Sequence, residues 1–364
     1  MFFRICLATA VCVGALADVQ MIFNQSEAVA VYTSVGTTVL AKSAPYFAVA
    51  TSLNPPEAAY VFDGLGNQVW AFSNGTGQYL VDTARHCESP DSGPVDVVVG
   101  VCGSPTDGCV LYGRTSATDT TRWALPLPDC STNVEGGTYV NMEASDSGNR
   151  VAFLCRFTNP SGNASARVYL IGMQSGSVTW VHDLGADVKA GQGQVQITPS
   201  GSYVLFVNED GVPSPNSAQA YILDGATGAL RDEVNIPFFI TAAISDSGDY
   251  VAVGDDPAVH VWQFDAASGK YAPAYDVAPP GGSAWIPWDI AISTGADATE
   301  SLVVGYISGD VRTVQVANWG LASGKQQGAW ISSTNPSLQE NPTIRTDGDY
   351  MCVVAARAAR AFCS

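Results

Sequence analysis

The stretch Ala243-Ile244-Ser245-Asp246-Ser247-Gly248-Asp249-Tyr250-Val251-Ala252-Val253-Gly254-Asp255-Asp256-Pro257-Ala258-Val259-His260-Val261-Trp262 sets the reading of the whole chain. Its apolar runs are four or five residues long, rich in Val and Ile, and bounded by Asp-Ser-Gly-Asp and Asp-Asp-Pro. Runs this short, punctuated by turn formers, read as strand, turn, strand, turn, strand and leave no room for a helical period. Nothing elsewhere in the sequence sustains that period for an ordinary helix length either, and Gly and Pro are spread throughout.

The opening phrase of this stretch recurs. Asp91-Ser92-Gly93 precedes the apolar run 95–101, Asp146-Ser147-Gly148 precedes 151–157, Pro199-Ser200-Gly201 precedes 203–207, and Asp347-Gly348 precedes 350–355. The glycines at 93, 148, 201, 248 and 348 stand 55, 53, 47 and 100 residues apart, so the last interval spans two repeats. A degenerate copy at Gly295 fills the gap, and Ser43-Ala44-Pro45 starts the series without a glycine. The aspartates are read as turn formers that hydrogen-bond their own backbone. Some 20 to 30 residues after each copy comes a second phrase, a strand, a glycine turn and a strand that often carries Trp. Tyr60 to Trp70 and Tyr169 to Trp180 are examples, and further turns fall at Gly228, Gly269 and Gly324. Two tandem hairpins per repeat make a four-stranded antiparallel sheet whose two apolar faces need neighbours. The expected fold is therefore all-β: a single β-propeller of about seven four-stranded blades over 18–364. The degenerate copies leave the count open between six and eight. Too few residues follow Arg357 to finish the last blade, so a strand from the N-terminus, at 19–23 or 28–33, is expected to join it, close the ring and remove two exposed edges.

The stretch 243–262 resembles the core of a WD-repeat blade, and the hairpins at Gly66 and Gly176, with Trp70 and Trp180 four residues on, resemble the repeats of quinoprotein-type propellers. Both resemblances imply the propeller architecture. The Gly-His pair that opens many WD repeats is absent, and so are the adjacent cysteines that large quinoprotein dehydrogenases carry near their cofactor. Neither resemblance implies a particular function.

One cation, Arg4, precedes an apolar run from Ile5 to Leu16, and Ala15-Leu16-Ala17 gives a small-x-small cleavage pattern. This reads as a signal peptide over 1–17, and the expected location is extracellular. The run is too short to span a bilayer and no longer one follows, so no membrane span is expected. The C-terminal residues carry neither a lipid-anchor signal nor a retention sequence. Removing Arg4 leaves 15 basic residues, four of them Lys, against 34 acidic ones, a charge near −19. Such a chain repels phosphate backbones, which excludes nucleic acid as an expected partner.

After cleavage seven cysteines remain, and export favours pairing them. Cys102 and Cys109 flank one turn, and Cys352 and Cys363 flank another at Arg357-Ala358. Cys87 with Cys130 is the third expected pair, with Cys155, at the end of the apolar run 151–154, left as a buried thiol. A zinc site is disfavoured: there is no Cys-x-x-Cys, and His86 alone among the histidines lies near a cysteine.

No nucleophile elbow, metalloprotease helix motif or phosphate-binding glycine loop is present. Of the three histidines, His182 and His260 alternate with strand residues and read as structural, and His86 adjoins a cysteine expected to be bonded. No cofactor is expected, although Asp246 to Asp249 or Asp255-Asp256 suits a weakly held calcium ion. In a propeller the turns between second and third strands share one face with the connections between blades. That face receives Glu209, Asp210, Asp255, Asp256, Trp285 and Trp288, carboxylates beside indoles that suit a sugar or a basic peptide. The competing reading packs Trp285 and Trp288 between blades. Sequons occur at Asn24, Asn74 and Asn163, the last two on the same face in the first and third blades, which directs a partner to the fourth to sixth. The expected function is that of a secreted, non-enzymatic binding or scaffold protein for a glycan or protein ligand, a monomer itself. The alternatives are an extracellular enzyme, either a quinoprotein-like oxidoreductase or a glycan-acting hydrolase or lyase using channel carboxylates, and a matrix component.

Overall fold

The computed structural model describes residues 9–10, 19–24, 47–51, 58–62, 68–73, 78–83, 95–103, 108–115, 119–130, 141–145, 149–158, 164–183, 193–210, 217–236, 240–280, 282, 285–294, 299–308, 314–332, 342–347, 350–355 and 360–363, with side chains described only within 59–329. These residues form antiparallel sheets, each built from strands consecutive in sequence apart from one joined by the N-terminus. The first sheet holds Phe47–Thr51, Ala58–Phe62 and Gln68–Phe72. The second holds Gln78–Thr83, Val97–Cys102, Cys109–Thr115 and Thr120–Leu127, and the third Asn141–Ala144, Arg150–Thr158, Ala164–Gly172 and Val178–Asp183. The fourth is Gly193–Ile197, Tyr203–Asp210, Ser217–Asp224 and Leu230–Ile236; the fifth is Thr241–Ile244, Tyr250–Gly254, Val259–Asp265 and Lys270–Val277. Trp285–Thr294, Glu300–Ser308, Val314–Gly320 and Lys325–Ser332 make the sixth. In the seventh, Pro342–Asp347, Tyr350–Ala355 and Arg360–Cys363 are joined by Val19–Asn24, which pairs with Arg360–Cys363 as the repeat count requires. The sheets fall into two compact units, one with the first four and one with the last three.

Two sheets depart from four strands. In the first, Phe47–Thr51 follows Ser43-Ala44-Pro45 and so takes the place of a second strand; the residues before the phrase lie outside those described. The seventh gains a two-residue edge strand, Thr9–Ala10, from the segment read as a signal.

The phrases at 91–93, 146–148, 199–201 and 246–248 fall between the first and second strands of their sheets, and the two glycines that are described adopt positive φ, 75° at Gly201 and 68° at Gly248. The hydroxyl residue just before the phrase completes the turn. Ser145 Oγ, Thr198 Oγ1 and Ser245 Oγ accept the backbone N–H five residues on, from Arg150 at 3.1 Å, Tyr203 at 3.1 Å and Tyr250 at 3.0 Å. All three are buried, where an unpaired amide would be costly. Sequence reading credited the aspartates alone and missed these hydroxyls.

The second phrase joins third to fourth strands, and its aromatic residue reaches the next sheet. Trp180, on the fourth strand of the third sheet, lies over the turn of the fourth: a Cβ added at Gly228 would stand 2.7 Å from its Cδ2, and Trp180 Nε1 donates to Gly225 O at 3.1 Å. Trp123 does the same one sheet earlier, covering Gly176 and donating to Met173 O at 2.7 Å. In the other unit Tyr275 lies over Gly324 and its hydroxyl donates to Leu321 O. The glycines thus serve twice, supplying positive φ and a bare surface for the ring. In the second sheet Asp119 stands at this turn position with φ 54°, so there is no bare glycine for Trp70 of the first sheet. There Arg114, 5% exposed, places its guanidinium 4.9 Å from the Trp70 ring and 4.4 Å from that of Phe72, and bonds to Asp119.

Consecutive sheets within a unit share a core, for example Val98, Leu111, Phe153 and Ile171 between the second and third, and Leu154, Leu170, Phe206 and Leu223 between the third and fourth. The first strands of consecutive sheets also approach one another within each unit. At one such approach Asn141 Oδ1 and Glu143 Oε2 of the third sheet accept the edge amides of Val195 and Ile197 in the fourth, at 3.2 and 3.1 Å, which occupies donors an open edge would expose.

Cys102 and Cys109 are register partners and form a disulfide. Cys130 is bonded to Cys155, which corrects the expected Cys87–Cys130 pair and the free Cys155. The apolar run that made Cys155 read as a buried thiol is what carries it into the core between the second and third sheets, where Cys130 also ends. Cys352 and Cys363 are register partners in the seventh sheet, while Cys87 lies outside the described residues.

Candidate functional site

The tight turn of the fifth sheet at Asp255, Asp256 and Pro257 is held by Asp255 N donating to Ala258 O at 2.9 Å. Strand alternation then sends Val259 and Val261 into the core shared with the sixth sheet and His260 to the opposite face. His260 is the register partner of Asp276 on the fourth strand. Its Nδ1 lies 2.7 Å from Asp276 Oδ1 and its Nε2 3.0 Å from Asp255 Oδ2, so the ring bridges the turn to the neighbouring strand. The imidazole is half-buried, Asp255 is largely covered and Asp276 is exposed. Burial opposes protonation of His260, but the hydrogen bonds to Asp276 and Asp255 outweigh it and hold the pKa above the ordinary histidine value. The protonated ring donates to both carboxylates; the neutral ring can donate to only one.

A raised folded-state pKa means that this clamp stabilises the fold fully below the unfolded value, about 6.5, and that its contribution fades as pH rises through the folded value. Urea unfolding at pH 5.5 and pH 8.5 is therefore expected to show a larger loss of stability on going to pH 8.5 in the wild type than in His260→Gln. Equal losses in the two proteins would remove the clamp.

Beside this turn runs the first strand of the sixth sheet. The register of that strand shifts between Pro287 and Asp289, which leaves Trp288 as the extra residue of a bulge. Trp288 is 38% exposed, whereas Trp285 packs against the core of the fifth and sixth sheets. The two indoles thus divide between the two readings: one is structural, the other is available at the surface. Gly254 brings the strand and the turn together, since a Cβ added there would stand 3.2 Å from Pro287 Cβ and 3.1 Å from Thr241 Cγ2. Thr241 Oγ1 also donates to Asp289 Oδ1 at 3.3 Å. Asp255, exposed Asp256, His260 and Asp276 therefore gather at this turn of the fifth sheet, and exposed Trp288 follows Pro287 on the strand of the sixth sheet that meets Gly254.

Glu209 and Asp210 end the second strand of the fourth sheet, in the other compact unit, and their side chains are not among those described. His86, Asn74 and Asn163 lie outside the described residues, and Asn24 is the register partner of Arg360 in the seventh sheet. His182 is half-buried on the fourth strand of the third sheet. At the opposite end of the fifth sheet, Ser247 donates through N and Oγ to Glu300 of the sixth at 3.5 and 3.4 Å, and burial pushes the Glu300 carboxyl up from its usual range. Among the described residues no group of three or more His, Cys, Asp or Glu side chains is arranged to hold a metal ion, and no helix is long and apolar enough to cross a membrane.

His260 with Asp276 is the pairing that sequence reading missed. The signal lay in the hairpin: counting outward from the glycine turn at Gly269 pairs the two strands, but a bulge between Val261 and Trp262 shifts the count by one before His260 is reached.

The chain is similar to the solved structure of the Dos1 propeller, with 14% identity, a TM-score of 0.53, and coverage of 88% of this chain and 74% of that one. It also aligns with Saccharomyces cerevisiae Sqt1 at 8% identity and a TM-score of 0.49, over 91% of this chain and 97% of that one. No protein-family model and no curated protein matches it. The first likeness, together with the repeating sheets, shows a β-propeller fold.

Proposed function

We propose that this protein is exported and acts as a non-enzymatic binding or scaffold propeller, taking a Lys- and Arg-rich protein segment at the end of the fifth and sixth sheets. The observation that carries the reading is the exposed Trp288, which follows Pro287 on the strand that Gly254 approaches, while Gly254 itself leads directly into the Asp255-Asp256 turn. An exposed indole supplies contact area at little entropic cost, and carboxylates on the adjoining turn favour a cationic ligand over a neutral one. The overall charge of −18 acts in the same direction at longer range and speeds encounter with a basic partner. The propeller fold is consistent with such a role, since its turns present a broad surface on rigid strands.

A peptide array graded from acidic to basic, probed with the purified chain at two salt concentrations, tests the reading. Basic peptides are expected to bind, more weakly at high salt, and Asp256→Asn combined with Trp288→Ala is expected to weaken binding about tenfold or more. Both positions are exposed, so this variant leaves the fold intact. Undiminished binding by the variant, or a preference for acidic peptides, contradicts the proposal. Binding confined to a glycan array replaces the partner class. A rise in unfolding midpoint with calcium and pyrroloquinoline quinone contradicts the non-enzymatic reading, because a ligand held only by the folded state raises that midpoint.

A further inference from the structure

We infer that the propeller holds a buried water between Tyr306 and Gln315 of the sixth sheet, a site distinct from the proposed docking surface and independent of it. Tyr306 is fully buried and Gln315 is 2% exposed. The two are register partners on adjacent strands, so their side chains leave the sheet on the same face. The Tyr306 ring belongs to the core with Val259, Val261 and Val277 of the fifth sheet and meets the Trp319 ring edge to face, with centroids 6.2 Å apart. The phenol is thus fixed by its ring and cannot turn outward to solvent. Its hydroxyl and the Gln315 Oε1 are both buried and both lack a hydrogen-bond partner.

The chemistry of the two atoms identifies the ligand. Burial pushes the Tyr306 pKa up, so the group is a neutral hydroxyl and an able donor. Gln315 Oε1 only accepts. Within reach of each other they would bond directly, and they do not. A single water accepts from the hydroxyl and donates to the amide oxygen, which satisfies both atoms with one small polar molecule; a cation needs more oxygen ligands than two, and an anion is repelled by the amide oxygen. The other register partner of Tyr306 is Pro287, which has no N–H, and the strand bulges immediately after it. The ladder is irregular at this point of the sheet, where a guest molecule disturbs few backbone bonds.

A high-resolution crystal structure of the whole protein, combined with thermal unfolding of Tyr306→Phe, tests the inference. A density peak within hydrogen-bond distance of both Tyr306 Oη and Gln315 Oε1 is expected. Tyr306→Phe, which preserves the packing, is expected to lower the midpoint by about 2 °C through loss of the bridge. A midpoint raised by Tyr306→Phe means that the hydroxyl was an uncompensated burden and overturns the site. Direct contact between Oη and Oε1, or no peak at this place, overturns it as well.

Discussion

Replacing Gly225 with alanine is expected to destabilise the protein by about 3 kcal/mol, at the upper end of what overpacking costs. A Cβ at this position would stand 2.1 Å from Gly201 O and 2.8 Å from Ser202 C and O, all backbone atoms that no rotamer change can move. The turn between third and fourth strands of the fourth sheet sits directly on the turn between its first and second strands, and Gly225 N donates to Ser202 O at 2.7 Å. The second turn cannot retreat freely, because Gly201 O also accepts from Arg150 Nη1 of the third sheet at 2.7 Å. Relief of the clash therefore breaks either the turn-to-turn bond or the link between sheets. Urea unfolding measures the effect, and a loss below about 1 kcal/mol would mean that the two turns are not in contact.

Trp180→Ala is expected to lose a comparable amount, about 3 kcal/mol, the low end for removal of a large aromatic since the ring is only partly covered. The loss has two parts: the ring over Gly228, and the indole N–H donated to Gly225 O. Trp180→Phe separates them, since it retains much of the contact and forfeits the hydrogen bond, for a loss of about 1 kcal/mol plus the smaller ring. Trp288→Ala serves as the contrast, because an exposed indole on a bulge is expected to change stability by less than about 0.5 kcal/mol. If Trp180→Ala and Trp288→Ala cost the same, the indole of Trp180 does not join the third sheet to the fourth.

The features legible in the sequence are those encoded locally. Positive φ at Gly201, Gly248 and Gly228 is a requirement of single residues, so the phrases around them mark the turns, and the turns mark the strands between them. Trp180, four residues past Gly176, was legible as a repeat signal but not as a link, because its contact lies in the following sheet. The second sheet obscured its own phrase by placing Asp119 where the third to sixth use glycine. Features set by pairing between distant strands were not legible. Cys130 meets Cys155 because consecutive sheets face each other, a relation that sequence spacing does not contain. Trp285 and Trp288 are three residues apart in one strand, and only the bulge between Pro287 and Asp289 decides which is exposed. The His260 clamp needs the register of a bulged hairpin.

Fourth-strand aromatics join one sheet to the turn of the next, and hydrogen exchange of the indole N–H groups is the direct measure of that link. The Trp123 and Trp180 indole protons, bonded to Met173 O and Gly225 O, are expected to exchange far more slowly than that of exposed Trp288. Exchange of all three at the same solvent-limited rate would contradict it.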